Sequence, residues 1–218
     1  MKTAQRPFQF FTVSYLTCIG NLYASTLREL CTGLERCSEE SIFYHTYQSL
    51  GRHHFLTEGF SNDFAEWALN SARLGKLAES IAALDIRDYL QLQDLRRDLL
   101  WIVDDFCASS SADADRSAPE PFYFCESVQV TLPLACQAQT LAEFRPCLER
   151  LSHGSLQFHF LVSRLRLQLR TNDFSLWLAE QLGLEALAHR INQIDVYTNT
   201  IDSARARMLS MIDRELGP

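Results

Sequence analysis

Glycine is scarce in this chain, eight in 218 residues. No Gly-rich loop follows a strand-like run, so the sequence shows no backbone cradle for a phosphate. There is no G-x-S-x-G, and no cysteine stands in a recognisable catalytic setting, which leaves nucleophilic catalysis without support. Basic residues are outnumbered, 20 Lys and Arg against 27 Asp and Glu, for a net charge of −7. That balance excludes nucleic-acid binding on a broad basic surface and disfavours attraction to an anionic membrane. No uninterrupted apolar run approaches the roughly 18 residues of a membrane span. There is no C-x-x-C. The seven cysteines, at 18, 31, 37, 107, 125, 136 and 147, are odd in number. They are expected to be free thiols in a reducing compartment, the cytoplasm.

What the chain does have is a core and a repeat. It is 47% hydrophobic and 11% aromatic, enough for a sizeable interior. Thr26-Leu-Arg-Glu29, Ser41-Ile-Phe-Tyr-His45 and Asn62-Asp-Phe-Ala-Glu-Trp67 return as Thr140-Leu-Ala-Glu143, Ser155-Leu-Gln-Phe-His159 and Asn172-Asp-Phe-Ser-Leu-Trp177. Residues 7–45 and 121–159 align without a gap at a spacing of 114, with 14 of 39 positions identical. Four residues then drop out of the second copy, and the alignment resumes at a spacing of 110. A period this long is a duplicated half-domain or domain, not a solenoid repeat.

The repeat also decides how the N-terminus is read. Lys2 and Arg6 ahead of the apolar stretch 8–22 imitate a signal peptide. Pro7-Phe-Gln-Phe10 recurs internally as Pro121-Phe-Tyr-Phe124, so the segment is expected to be a folded element.

Each copy opens with an aromatic and β-branched run, 8–17 and 122–131, read as a short strand that Pro133 ends in the second copy. Thr26-x-x-Glu29 and Thr140-x-x-Glu143 are capping boxes, each opening a first helix. Pro146 inside the second of these predicts a kink or an early end. The second helix begins near Ser41 or Ser155. Arg164-Leu-Arg-Leu-Gln-Leu-Arg170 alternates like a strand, but its non-alternating counterpart favours helix. Asn62 and Asn172 open a third helix, and two more follow in each copy. Residues 108–120 are small and polar and read as a flexible, exposed linker.

The predicted fold class is mainly α with a small β component (α+β), a tandem pseudo-symmetric duplication of a unit with one strand and about five helices. The expected organisation is 1–107, the linker 108–120, and 121–218. The halves are independent domains or one pseudo-twofold domain; pairing of the two strands favours the latter.

Ser-x-x-x-His, then Asn-Asp-Phe-x-x-Trp, then Leu-Ala-x-x-Ile and Asp, resembles a family of uncharacterised prokaryotic proteins, a domain of unknown function. Its members carry this signature in two halves. The resemblance covers nearly the whole chain outside the linker, and it implies no activity and no catalytic residue.

The candidate ligand-binding set is His45, Asn62, Asp63, Trp67 and His159, Asn172, Asp173, Trp177. Each has a structural reading beside it. Asn62 and Asn172 are good N-caps, and Asp63 and Asp173 in a first helical turn meet the helix dipole. Trp67 and Trp177 lie on a core face. His45 and His159, among aromatic neighbours, are either core residues with satisfied ring nitrogens or ligand and proton-transfer groups. Together the set also makes a polar-aromatic pocket of the kind that takes sugars. A metal reading on His45, His53, His54 and Asp63 or Glu58 is weakened by the roughly 12 Å helical rise between His45 and His53. The leading expectation is a cytoplasmic, non-catalytic binding or regulatory protein that engages a protein partner or a small polar ligand. It carries no cofactor and no metal and binds neither nucleic acid nor membrane. The alternative is an enzyme, possibly metal-dependent, using the histidine-rich segment of the first copy.

Overall fold

The computed structural model describes residues 2–50, 60, 62–195 and 197–217. The protein is mainly α with a small β component, as its patterning implied. The elements are β1 (Phe8–Ala24), α1 (Leu27–Arg36), α2 (Glu39–Phe43), α3 (Asp63–Asn70), α4 (Gly75–Ala82), α5 (Leu92–Ser109), α6 (Ser111–Ala114), β2 (Phe122–Ala138), α7 (Leu141–Glu149), α8 (His153–Gln157), α9 (Ser163–Leu167), α10 (Asp173–Leu182), α11 (Glu185–Asn192) and α12 (Ile201–Leu216). A π-helical turn, Tyr44–Gln48, continues α2, and a second, Phe158–Val162, joins α8 to α9.

The strands β1 and β2 pair in one two-stranded sheet. Ala4 N donates to Gln139 O at 2.7 Å, and the Tyr23 ring lies beside that of Tyr123, so the strands run antiparallel. The chain divides into two compact units: unit 1 is Met1–Ser14 with Gln129–Pro218, and unit 2 is Tyr15–Val128. Each unit therefore holds the beginning of one strand and the end of the other.

In unit 1, Phe8 and Phe10 are buried while Gln9 and Phe11 are not, the period of two that a one-sided strand requires. Phe8 packs against Phe144, Phe174 and Trp177 at centroid distances of 5.3 to 5.7 Å. Unit 2 does the same with Phe122 and Phe124, and Phe64 stacks on Phe122 at 4.9 Å. Helix entry follows the sequence. Thr26 accepts from Glu29 N and Thr140 from Glu143 N. Asn62 accepts from Ala65 N at 2.8 Å and Asn172 from Ser175 N at 2.9 Å. The stretch around Arg164 is helical, as expected, and Gln168 ends it in the left-handed region at φ 52°.

Four expectations need correction. The strands are not short; each spans 17 residues, and β2 runs through Pro133. In a two-stranded ladder both strands are edges, so a missing amide on the outer side costs no ladder bond. Pro146 does not end α7 at its position. The helix continues to Glu149, held by burial of Phe144, Cys147 and Leu148 on one face. Residues 108–120 are mostly exposed, as expected, but α6 forms within them and Ala114 and Ala118 are buried, with Ala118 N donating to Ser25 O at 2.7 Å. Finally, Cys136 and Cys147 form a disulfide, so not all seven cysteines are thiols. The end of β2 and the flank of α7 bring the two Cα atoms to 6.2 Å, within bridging range. Their counterparts at the 114 spacing are Leu22 and Gly33, so the bridge belongs to unit 1 alone.

Candidate functional site

His45 and His159 sit in the two π-helical turns. Both are buried, 3% and 2% exposed. His159 Nδ1 lies 2.8 Å from Asp173 Oδ2, and its Nε2 accepts from Phe11 N at 3.0 Å. His45 Nδ1 lies 2.8 Å from Asp63 Oδ2, and its Nε2 accepts from Cys125 N at 2.9 Å. A backbone amide can only donate, so each Nε2 is the bare nitrogen and each Nδ1 carries the proton that the carboxylate receives. Both imidazoles are neutral Nδ1–H tautomers with both nitrogens in use inside the protein.

The tryptophans complete the same grip. Trp177 Nε1 donates to Arg6 O at 2.9 Å, and Trp67 Nε1 donates to Glu120 O at 2.7 Å. Arg6 and Glu120 each precede the proline that opens a strand, so the indole holds the strand's entry. The imidazole holds it five residues further on. In unit 1 the helices of residues 141–216 grip residues 6–11. In unit 2 the helices of residues 27–109 grip residues 120–125. The aspartates connect each grip to a helix start, since Asp63 and Asp173 are the first residues of α3 and α10. Ser49 Oγ donates to Asp63 Oδ1 at 2.7 Å, whereas in unit 1 the Arg166 guanidinium occupies Asp173. Asn62 and Asn172 are 4% and 0% exposed and serve as caps.

The structure thus brings His, Asp and Trp of each copy together on one strand entry and leaves the asparagines beneath them. The proposed metal ligands His53, His54 and Glu58 lie outside the described residues. Among the described residues no group of three or more His, Cys, Asp or Glu is placed to hold a metal ion.

Unit 1 carries a cleft of about 550 Å³ over this grip. Phe8, Phe11, Phe158 and Trp177 form its apolar lining, and His159 and Asp173 reach it. Its polar lining is Arg6, Gln9, Gln129, Thr131, Arg166, Glu180 and Gln181. None of these polar residues belongs to the repeated signature. At the alignment spacings Arg6 matches Glu120, Gln9 matches Tyr123, Glu180 matches Asn70 and Gln181 matches Ser71. For these four the difference between the copies marks the cleft, whereas Thr131 recurs as Thr17.

Fold and site define a mainly helical protein in which buried His–Asp pairs and tryptophans fasten the entries of two long strands. The chain belongs to the family of unknown function DUF5752, which matches residues 5–213. It is similar to the solved structure of OrfY from Thermoproteus tenax, with a TM-score of 0.84 and 27% identity over 98% of this chain and 97% of that one. No curated protein matches it.

Proposed function

We propose that this protein is a non-catalytic, cytoplasmic binding protein, built by internal duplication, whose unit 1 cleft takes a small polar metabolite. The observation that carries this reading is the division of labour around His159. Its ring nitrogens are used on Phe11 N and Asp173, so His159 is not poised to move a proton, while the cleft above offers the Arg6 guanidinium, the free edge of Arg166 and the Glu180 carboxylate on an aromatic floor. Ligand sites have this composition: an apolar lining with a few convergent polar groups. A cleft of this size favours a small molecule over a protein partner. Among the described residues no helix is long and apolar enough to cross a membrane.

A thermal-shift panel of sugars, sugar phosphates, nucleotides and organic acids tests the reading. A ligand at 100 times its Kd adds about 2.7 kcal/mol, which raises Tm by roughly 5–10 °C in a chain of this size. A hit should perturb the NMR signals of Phe158, Arg166 and Trp177 and be recovered unchanged. A hit that is converted to product, or one that maps outside unit 1's cleft, would overturn it.

A further inference from the structure

We propose that the unit 1 cleft selects an organic anion with a single acidic head group, a carboxylate or phosphate monoester on a ring or short apolar body, with the Arg166 and Arg6 guanidinium groups holding the anion. This rests on the cleft being the binding site. Three observations lead to it.

The first is the state of Arg166. Its Nη2 alone serves Asp173, and its side chain is 47% exposed. Its remaining N–H groups have no protein acceptor among the described residues, so an edge of the fork is open to a ligand. The guanidinium lies 5.4 Å from the centroid of the Phe158 ring, a cation–π contact that fixes its plane before any ligand arrives.

The second is Arg6. Its backbone is pinned on both sides, N to Gln181 Oε1 at 3.1 Å and O to Trp177 Nε1 at 2.9 Å. Its guanidinium, by contrast, has no partner among the described residues. A charged group on a rigid base at the lip of a cleft is preorganised for an anion.

The third is the comparison of the copies. The gripping residues His, Asp and Trp are the same in both, but where unit 1 has Arg6 and Leu176 at this face, unit 2 has Glu120 and Glu66. The grip is common architecture, and the Arg6 position is cationic in unit 1 where its counterpart, Glu120, is acidic. Glu180 at the same cleft opposes a second negative charge and offers an acceptor to a ligand hydroxyl. Hence the ligand carries one anionic head group and hydrogen-bond donors, and is not a polyphosphate.

Isothermal titration and NMR with 4-hydroxybenzoate, its neutral isostere 4-hydroxybenzamide, phenyl phosphate and inorganic phosphate test the proposal. The acid or the phenyl ester should bind at least tenfold tighter than the amide, about one charge-assisted hydrogen bond's worth. Whichever anion binds better identifies the head group. Arg166→Gln and Arg6→Gln should each weaken the anion at least fivefold and leave the amide within twofold. Arg6→Gln removes no protein contact of the side chain, so it keeps the test valid if Arg166→Gln unfolds. Equal binding of acid and amide would overturn the anion assignment while leaving the cleft as a binding site. Binding of inorganic phosphate as tight as phenyl phosphate would show an adventitious ion only and overturn it. Absence of binding by every anion would also overturn it.

Discussion

Replacing His159 by alanine removes a group with three separable roles. Its Nε2 is the acceptor for Phe11 N at 3.0 Å, and without it a part-buried strand amide has lost its partner, at about 1–3 kcal/mol. Its Nδ1–H donates to Asp173, which keeps Arg166 and the α10 N-terminus, so this loss is smaller, about 1 kcal/mol. The ring itself is 2% exposed and packs between Phe8 and Phe174 at 5.2 and 5.5 Å. Its deletion leaves a cavity costing about 1–2 kcal/mol. The terms sum to roughly 3–6 kcal/mol, a large fraction of a typical 5–15 kcal/mol total. His159→Gln places an amide oxygen near the position of Nε2 and should cost less, about 1–3 kcal/mol. Urea titration followed by far-ultraviolet circular dichroism reads both values, with an unchanged m-value showing that the unfolding reaction is the same. A loss below about 1 kcal/mol for His159→Ala would refute a structural role.

Three other outcomes follow from local geometry. At Gly33 an added Cβ would stand 2.2 Å from the Phe124 ring, so Gly33→Ala should lower stability by about 1–3 kcal/mol in the same titration. Arg73 is an exposed non-glycine residue at φ 61°, where its counterpart is Gly183 at φ 63°, so Arg73→Gly should raise stability by about 1 kcal/mol. Burial pushes the Cys31 thiol up to about 12 and Cys37 up to about 11. Both stay protonated at pH 8 because the pH lies below each raised value, so iodoacetamide followed by mass spectrometry should label the exposed Cys18 first and these two only on unfolding.

The parts of this fold that were legible in the sequence are those written in local chemistry. Thr26, Thr140, Asn62 and Asn172 announce helix starts because a short side-chain acceptor is needed there whatever the tertiary context. Phe8 and Phe10 announce a one-sided strand. The π-helical turns that carry the histidines had no such mark, since an i→i+5 turn has no propensity signature distinct from the α-helix around it. The continuation of β2 through Pro133 depends on the ladder having only two strands, which is a tertiary fact. The Cys136–Cys147 bridge leaves no mark in the repeat, because its counterparts in the first copy are Leu22 and Gly33. The site residues divide the same way. His159, Asp173 and Trp177 stood out because they recur, and recurrence marked what builds the grip. Arg6, Arg166 and Glu180, which face the cleft, do not stand out until the grip is removed from consideration.

That the paired histidines are neutral clamps on strand amides, and not proton-transfer groups, can be read directly by nitrogen NMR of uniformly ¹⁵N-labelled protein. The expected result is scalar coupling across the hydrogen bonds from Phe11 N to His159 Nε2 and from Cys125 N to His45 Nε2, with both Nε2 atoms unprotonated and both Nδ1 atoms carrying slowly exchanging protons. An Nε2–H tautomer, or an imidazolium at neutral pH with no coupling to either amide, would contradict it.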